Sequence, residues 1–308
     1  MLPPGILAWI SGHGESVSPT TVQALAGAHP SWAVDMAAHG PWDETVDADG
    51  AGRFLKAAQA SVADTTIVVA GECISTMEAA RALAVSGHLG PWGAVLAVRQ
   101  TGGRGQLRRP WVSSPGNVHV SLILPGLPDQ GLWRGAAPDL LPLVAGHMCA
   151  EVLDTLGADI RLKWPNDLLQ SGRKVGGMLI EERNGLVVLG VGLNVVESPP
   201  DGLMREDHSV SAGVLGIPHH AGGALALCET LVNRGRNVYA ALFDGVEPSR
   251  FLTVVANRLA WYGRTIRVRE GEHEDYHAEI AGLSPKGGLI LRRAGREVVL
   301  YSGSIFPL

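Results

Sequence analysis

A chain of 308 residues with 46% hydrophobic and 18% charged residues can bury a substantial core, and its formal net charge of −5 supplies no global field for polyanions, so any anion site has to be local. Three widely spaced cysteines, Cys73, Cys149 and Cys228, form neither a CxxC pair nor a Cys/His cluster, which excludes a metal-ligand pattern and leaves reduced core thiols. The opening MLPPGILAWISG has no basic flank and too short an apolar run for a signal peptide or membrane span, so a cytoplasmic protein with no membrane partner is expected.

Residues 1–65 are rich in Ala, Gly, Asp and His and are read as an N-terminal extension of unknown role. From TTIVVAGE (65–72) onward, short strand-like runs alternate with helical patterns, which predicts a layered α+β or α/β domain. STMEAARALAVSG (75–87) is read as a helix with a Ser/Thr start and a glycine stop. AVLAVRQ (94–100) and NVHVSLILP (117–125) read as strands flanking RQTGGRGQLRRPW (99–111), which packs three glycines and four arginines into thirteen residues. DLLPLVAGHMCAEVLDTLGA (139–158) has helical apolar spacing, with His147 a packed or partly exposed member of that helix. IRLKWPNDLL (160–169) starts as a strand and breaks at Pro165, which has no N–H to donate to a ladder. KVGGMLIEE (174–182) and LVVLGVGLNVV (186–196) predict a hairpin turning at Asn184-Gly185. A further helix is expected over about 222–243. Four short runs between 264 and 306, divided by turn signals, favour a small β-barrel or sandwich that begins near Trp261-Tyr262-Gly263.

The glycine/arginine loop suits an anion: glycines let backbone N–H groups converge, and arginines are planar bidentate donors. A solvated surface loop would explain the same residues. In KWPNDLLQSGRKVGG (163–177), the proline break puts Asn166 and Asp167 at a strand end between Lys163 and Lys174, where side chains project into a cleft; an ion-paired hairpin end is the structural alternative. Ser75 and Thr76 have the residue types of an N-cap. Gly190-Val191-Gly192 lacks the third glycine of a dinucleotide fingerprint.

In order, these are an ST-helix, the loop running into WVSSPGN (Trp111 to Asn117), KWPNDL (Lys163 to Leu168), RKVGGMLIE (Arg173 to Glu181) and GVGLNV (Gly190 to Val195). That succession resembles the biotin protein ligase family over about residues 66–255. The resemblance implies a class II synthetase-like α+β fold, with a mixed sheet and flanking helices over 66–258 and a small SH3-like β-barrel over 262–308. It implies ATP-dependent activation of biotin to biotinyl-5′-AMP and transfer to one lysine of a biotin carboxyl carrier domain, with Mg²⁺ accompanying ATP and no protein-bound metal. Bringing a carboxylate against a triphosphate requires fixed positive charge.

By similarity, Lys174 meets the biotin carboxyl and the phosphate, Lys163 is a secondary cation, and Arg104 lies over the adenylate. Ser75, Thr76 and Gln100 answer the donors and acceptor of the ureido ring. Gly103, Gly177, Gly190 and Gly192 line the biotin site, being small enough for close approach of the ligand. Trp111 and Asn166 lie by the adenine, with Gln106 and Asn194 completing the nucleotide contacts. Asp167 orients the incoming lysine ammonium and accepts its proton only as the amine attacks, because a carboxylate near pKa 3.9 is poorly matched to an amine near 10.4.

The chain departs from the family's usual GRGRxGR in reading GRGQLRR, with Gln106 where an arginine is usual and Arg108 where a glycine is usual; Arg108 and Arg109 are candidates to compensate. The loop's glycines predict disorder when empty and closure over the adenylate when filled. Residues 1–65 hold Arg53 and Lys56 against Glu15, Asp35, Asp43, Glu44, Asp47, Asp49 and Asp64, a balance of 2 − 7 = −5 that argues against the DNA-binding module of the family's repressor members. No DNA partner is expected, and a homodimer is one assembly left open. Two other functions fit in part: a lipoate ligase, whose RRxxGGGxVxHD pattern is missing, and a biotin- or adenylate-binding regulator with weak or no turnover, which Gln106 keeps open.

Overall fold

The computed structural model describes all residues except 12–16, 47–49, 51, 63, 107–108, 201–209 and 272–273, so the Leu107 and Arg108 positions of the loop fall outside the described residues. The elements begin with β1 (Gly5–Ser11), α1 (Val22–Ala28), α2 (Pro30–His39), β2 (Trp42–Val46), β3 (Arg53–Ala57), β4 (Thr66–Cys73), α3 (Thr76–Val85), β5 (Ala94–Gln100), β6 (Val118–Leu124) and α4 (Ala137–Asp154). They continue with β7 (Ile160–Lys163), β8 (Asp167–Gln170), β9 (Arg173–Arg183), β10 (Leu186–Leu193), α5 (Ala224–Gly245) and α6 (Pro248–Arg258). The last are β11 (Thr265–Glu270), β12 (Glu274–Leu283), β13 (Leu289–Arg293), β14 (Arg296–Leu300) and β15 (Ser304–Pro307).

The chain divides into two compact units. The first comprises residues 1–126, 177–197 and 217–236. Its mixed sheet runs β2-β3-β1-β4-β5-β6-β10-β9. β1 lies parallel to β4 in the register Gly5↔Thr66 and antiparallel to β3, while β4 and β5 are parallel and β6 and β10 antiparallel. The central strands β1, β4, β5 and β6 are mostly apolar and buried because both faces are covered; TIVVA of β4 and VHVSLIL of β6 are buried at every residue. α3 packs its alanine-rich face on this sheet, and Leu7, Trp9, Phe54, Val68, Leu83, Val95 and Val188 share one core.

The segment before residue 66 is thus woven into the sheet. It is also fastened from α2: the Asp35 carboxylate accepts the Gly223 and Leu225 backbone N–H groups at 2.8 Å each, serving the start of α5. Glu229 on α5 meets His39 Nε2 at 2.6 Å and accepts Ser61 N and Oγ at 2.7 and 2.8 Å. Burial alone would lower the His39 pKa, but Glu229 and the Asp35 carbonyl outweigh it and raise it.

The second unit comprises residues 127–176, 198–216 and 237–308. In it α4 packs on β7 and β8, α6 packs on β7 and β12, and the five C-terminal strands form an antiparallel sheet in the order β14-β13-β12-β11-β15. The last of the four runs expected between 264 and 306, EVVLYSGSIF (297–306), is two strands, with Gly303 at φ 147° in the turn between β14 and β15. α6 is a helix not expected from the sequence, although Phe251, Leu252, Val255 and Ala256 stand at helical spacing and form its buried face. The Trp133 indole is fully buried, donates to the Leu242 and Val246 carbonyls, and packs edge-on against Phe243 and Phe251. His147 is buried and edge-on to Phe251, the packed alternative of the two expected for it.

Asn184 and Gly185 join β9 to β10 with φ of 53° and 78°, the paired left-handed conformation of a type I′ turn. All three cysteines are buried free thiols, and burial pushes Cys73 and Cys149 up to about 12. Among the described residues no helix is long and apolar enough to cross a membrane.

Candidate functional site

In the second unit, the chain leaves β7 at Lys163, turns through the cis Trp164-Pro165 bond, and enters β8 at Asp167. The Trp164 indole donates to the Gly287 carbonyl at 2.9 Å, which anchors the turn and leaves Asn166 half-buried beside Asp167. Lys174, second residue of β9, is fixed through its backbone: its N–H donates to Ser211 O at 2.9 Å, and its carbonyl accepts from Gly213 N at 2.8 Å. Its Nζ lies 2.5 Å from Asp167 Oδ1, and Lys163 Nζ lies 2.9 Å from Oδ2.

One carboxylate therefore holds two ammonium groups. Burial is the largest single influence on Asp167 and raises its pKa; the charges of Lys174 and Lys163, with their hydrogen bonds, outweigh it and hold the group at about 2. The cluster carries one net positive charge at neutral pH, with a cation on each side of an ionised acid.

In the first unit, the sequence-predicted polar residues meet at the start of α3. Ser75 occupies the N-cap position, but its hydroxyl makes no capping bond. That part is taken by Gln100 at the end of β5, whose Oε1 accepts from Thr76 N at 2.9 Å and Thr76 Oγ1 at 3.1 Å. Thr76 Oγ1 also meets Ser121 Oγ at 2.8 Å, and Gln100 Nε2 donates to Ser113 Oγ at 3.4 Å. Buried Ser75 and Thr76 thus stand beside an amide already oriented by the backbone it caps.

The loop closes on itself. Arg104 and Pro110 form an antiparallel bridge, and Gly105 N and Gln106 O bond to Arg109 O and Arg109 N. Arg104 and Gln106 are exposed, and Arg104 comes within 3.8 Å of Glu78, both half in solvent, where a pair contributes little. At the root of the loop, Trp111 N donates to Gly103 O at 2.9 Å.

The space above the glycines of β10 is filled by protein. A Cβ on Gly192 would lie 2.4 Å from Trp111 Cζ2, and one on Gly190 would lie 3.0 Å from Met77 Sδ. Gly192 is small because the indole lies against its backbone. Gly192→Ala is expected to displace the indole and cost about 1–3 kcal/mol, seen as a lower urea midpoint; an unchanged midpoint would contradict this packing. Gly177 lies in β9, three residues beyond Lys174, and Asn194, 3% exposed, follows β10.

Two residues with structural weight carried no assigned role in the sequence. Asn117 fixes the turn after β10, its Oδ1 accepting from Val195 N and Val196 N at 2.8 Å each while its Nδ2 donates to Glu197 O. His119 is 1% exposed and lies between Trp111 Nε1, 3.3 Å from its Nδ1, and Ser114 O, 3.1 Å from its Nε2. A polar residue inside the apolar run VHVSLIL is the signal that could have found it.

Burial pushes the His119 pKa down to about 4. The folded chain refuses until about pH 4 a proton that the unfolded chain takes near pH 6.5, so this residue makes stability fall as the pH drops through that window. The effect is on the order of 3 kcal/mol once complete. Urea unfolding of wild type and His119→Asn at pH 7 and 5 should show a smaller acid loss in the variant; equal losses would rule this out.

The model of the biotin/lipoate A/B protein ligase family matches residues 71–195, and that of the biotin protein ligase C-terminal domain matches residues 262–306. A biotin–[acetyl-CoA-carboxylase] ligase of Paracoccus denitrificans is 31% identical over 212 residues, 67% of this chain and 86% of that protein. The enzyme of the same name from Mycobacterium tuberculosis is 30% identical over 225 residues, 70% of this chain and 78% of its own. A solved biotin protein ligase from Aquifex aeolicus, in complex with biotin and ATP, has the same fold, with a TM-score of 0.61 at 23% identity over 78% of this chain and 97% of that one.

Proposed function

This chain belongs to the biotin protein ligase family, and we infer from that membership that it activates biotin with ATP and transfers the biotinyl group to a lysine of a biotin carboxyl carrier domain. The observation that carries the residue-level reading is the Lys163–Asp167–Lys174 cluster, formed by the two most specific motifs of the sequence.

In the first half-reaction a biotin carboxylate oxygen attacks the α-phosphorus of ATP, a P–O bond forms, and pyrophosphate departs. The carboxylate and the triphosphate repel each other, and Lys174, held rigid by its backbone bonds and by Asp167, supplies charge where they meet. Mg²⁺ accompanying the triphosphate would supply further positive charge at the phosphates, while Asp167 is bonded to the two ammonium groups. Arg104 adds a cation from the loop. Trp111 and Asn166 receive the adenine, with Gln106 and Asn194 nearby in role. Thr76, Gln100 and Ser75 serve the ureido ring with Gly103 and Gly177 beside them, while Gly190 and Gly192 give their space to Met77 and Trp111, the side chains that would border the ligand.

In the second half-reaction the acceptor amine attacks the acyl carbon and AMP leaves. Asp167, ionised down to about pH 2 and already bonded to two ammonium groups, is a weak base; its part is to place the acceptor amine, accepting the proton only as the new C–N bond develops and a lysine of the cluster gives way. The division of labour we propose is a catalytic region over 66–258 and a C-terminal SH3-like region over 262–308, with residues 1–65 bracing the first of these. The reduced core thiols support a cytoplasmic setting, and the acidic balance of residues 1–65 supports a ligase that leaves DNA unbound.

The test is to incubate the protein with ATP, Mg²⁺ and biotin, with and without a carrier domain. Biotin on the carrier lysine is the expected product. Adenylate without transfer would replace this reading with that of a regulator, and adenylate formed with lipoate but not with biotin would replace it with that of a lipoate ligase.

A further inference from the structure

We infer that His119 is a positioning residue that sets the plane of the Trp111 indole and thereby the affinity for the purine of ATP; the inference rests on the reading of Trp111 as the adenine contact. His119 stands on β6 directly opposite Gly192 on β10, in the register His119↔Gly192. The indole that lies against Gly192 is therefore beside the imidazole on the neighbouring strand.

Both ring nitrogens are used. A carbonyl can only accept and an indole N–H can only donate, so the neutral tautomer with the proton on Nε2 satisfies both partners at once: Nε2–H donates to Ser114 O, and Nδ1 accepts from Trp111 Nε1. The ring is shut away from solvent, so water cannot replace either bond. Turning the indole out of its plane would lose its bond and leave Nδ1 buried without a donor. The Trp111 backbone N–H is meanwhile tied to Gly103 O, so the root of the loop and the ring are held together. A flat stacking surface fixed before the ligand arrives spares the ordering that binding would otherwise require.

The experiment uses the full chain and a non-hydrolysable ATP analogue, with biotin affinity measured in parallel. Its variants are His119→Leu, His119→Asn, which keeps an acceptor near the Nδ1 position, and Trp111→Ala. His119→Leu is expected to weaken the analogue about tenfold, the loss of one buried hydrogen bond and its acceptor, and to leave biotin affinity unchanged. It should also shift the indole N–H resonance that disappears in Trp111→Phe, whereas His119→Asn should restore both affinity and resonance. Wild-type nucleotide affinity in His119→Leu, with weakened affinity in Trp111→Ala, would overturn the positioning role and leave the adenine contact standing. Normal affinity in Trp111→Ala would overturn both. Should His119→Leu fail to fold, His119→Gln, which keeps the Ser114 bond and gives up the Trp111 acceptor, decides: a tenfold loss supports the role and no loss removes it.

Discussion

Lys174→Ala is expected to slow formation of biotinyl-5′-AMP by about 10²–10³, the usual cost of removing one preorganised charge from an oxyanion-type site. The size follows from how little freedom the side chain has. Its backbone is bonded on both sides to Ser211 and Gly213, and its ammonium lies 2.5 Å from Asp167, so the charge is in place before substrate arrives. Lys163 is a poor substitute, because it is bonded to the other oxygen of the same carboxylate. Single-turnover adenylate formation, with the urea-unfolding midpoint as the control for folding, checks the expectation; a wild-type rate would remove Lys174 from the first step. The substitution also leaves Asp167 with Lys163 alone, so the carboxyl pKa should rise from about 2 toward its ordinary value.

Asp167→Asn separates the half-reactions. Transfer to the carrier is expected to fall by about 10²–10⁴, the range of a positioned proton acceptor, while adenylate still forms and accumulates on the protein. The amide is isosteric but cannot hold two ammonium groups, so Lys163 and Lys174 face each other with no anion between them, and the first step should slow to a lesser degree. Quenched time courses of adenylate and of biotinylated carrier give both rates. Equal loss of the two would mean that Asp167 serves only to place Lys174. In the wild type, Asp167 is ionised throughout the neutral range, so the pH dependence of transfer should follow the acceptor amine and show no step from this carboxyl.

Much of this site could be read from the amino-acid sequence because its chemistry is local. Pro165 forces the turn that brings Lys163 and Asp167 together at a strand end, and the step from Asp167 to Lys174 is one tight connection between β8 and β9. The β9–β10 hairpin announced itself through Asn184-Gly185. What stayed hidden depends on distant partners. Gln100 shares no pattern with the helix it caps, and Ser75, which has the residue type of a cap, leaves that work to it. His119 looks like an interruption in an apolar strand until Trp111 is placed beside it. The first 65 residues are composed like a separate extension, yet β1 finds its parallel partner in β4 across the chain, and α2 finds Gly223, Leu225 and Glu229. The helix over Pro248–Arg258 carries Phe251, Leu252, Val255 and Ala256 at helical spacing behind a proline in its first turn, but its Thr-Val-Val centre has the residue types of a strand and masks that signal.

That fastening of α2 to α5 has a bearing on synthesis. Asp35 and the Leu225 N–H that donates to it are 190 residues apart. At about 5–20 residues per second, translation leaves Asp35 and His39 waiting roughly 10–40 s for the helix that satisfies them. Until then two ionisable groups destined for the interior must remain hydrated, so α2 cannot take its final seat on a nascent chain that already carries β1 to β6. The seating of α2 is among the last steps this chain can finish, and a ribosome that stalls before residue 223 leaves Asp35 with an interior position it cannot occupy.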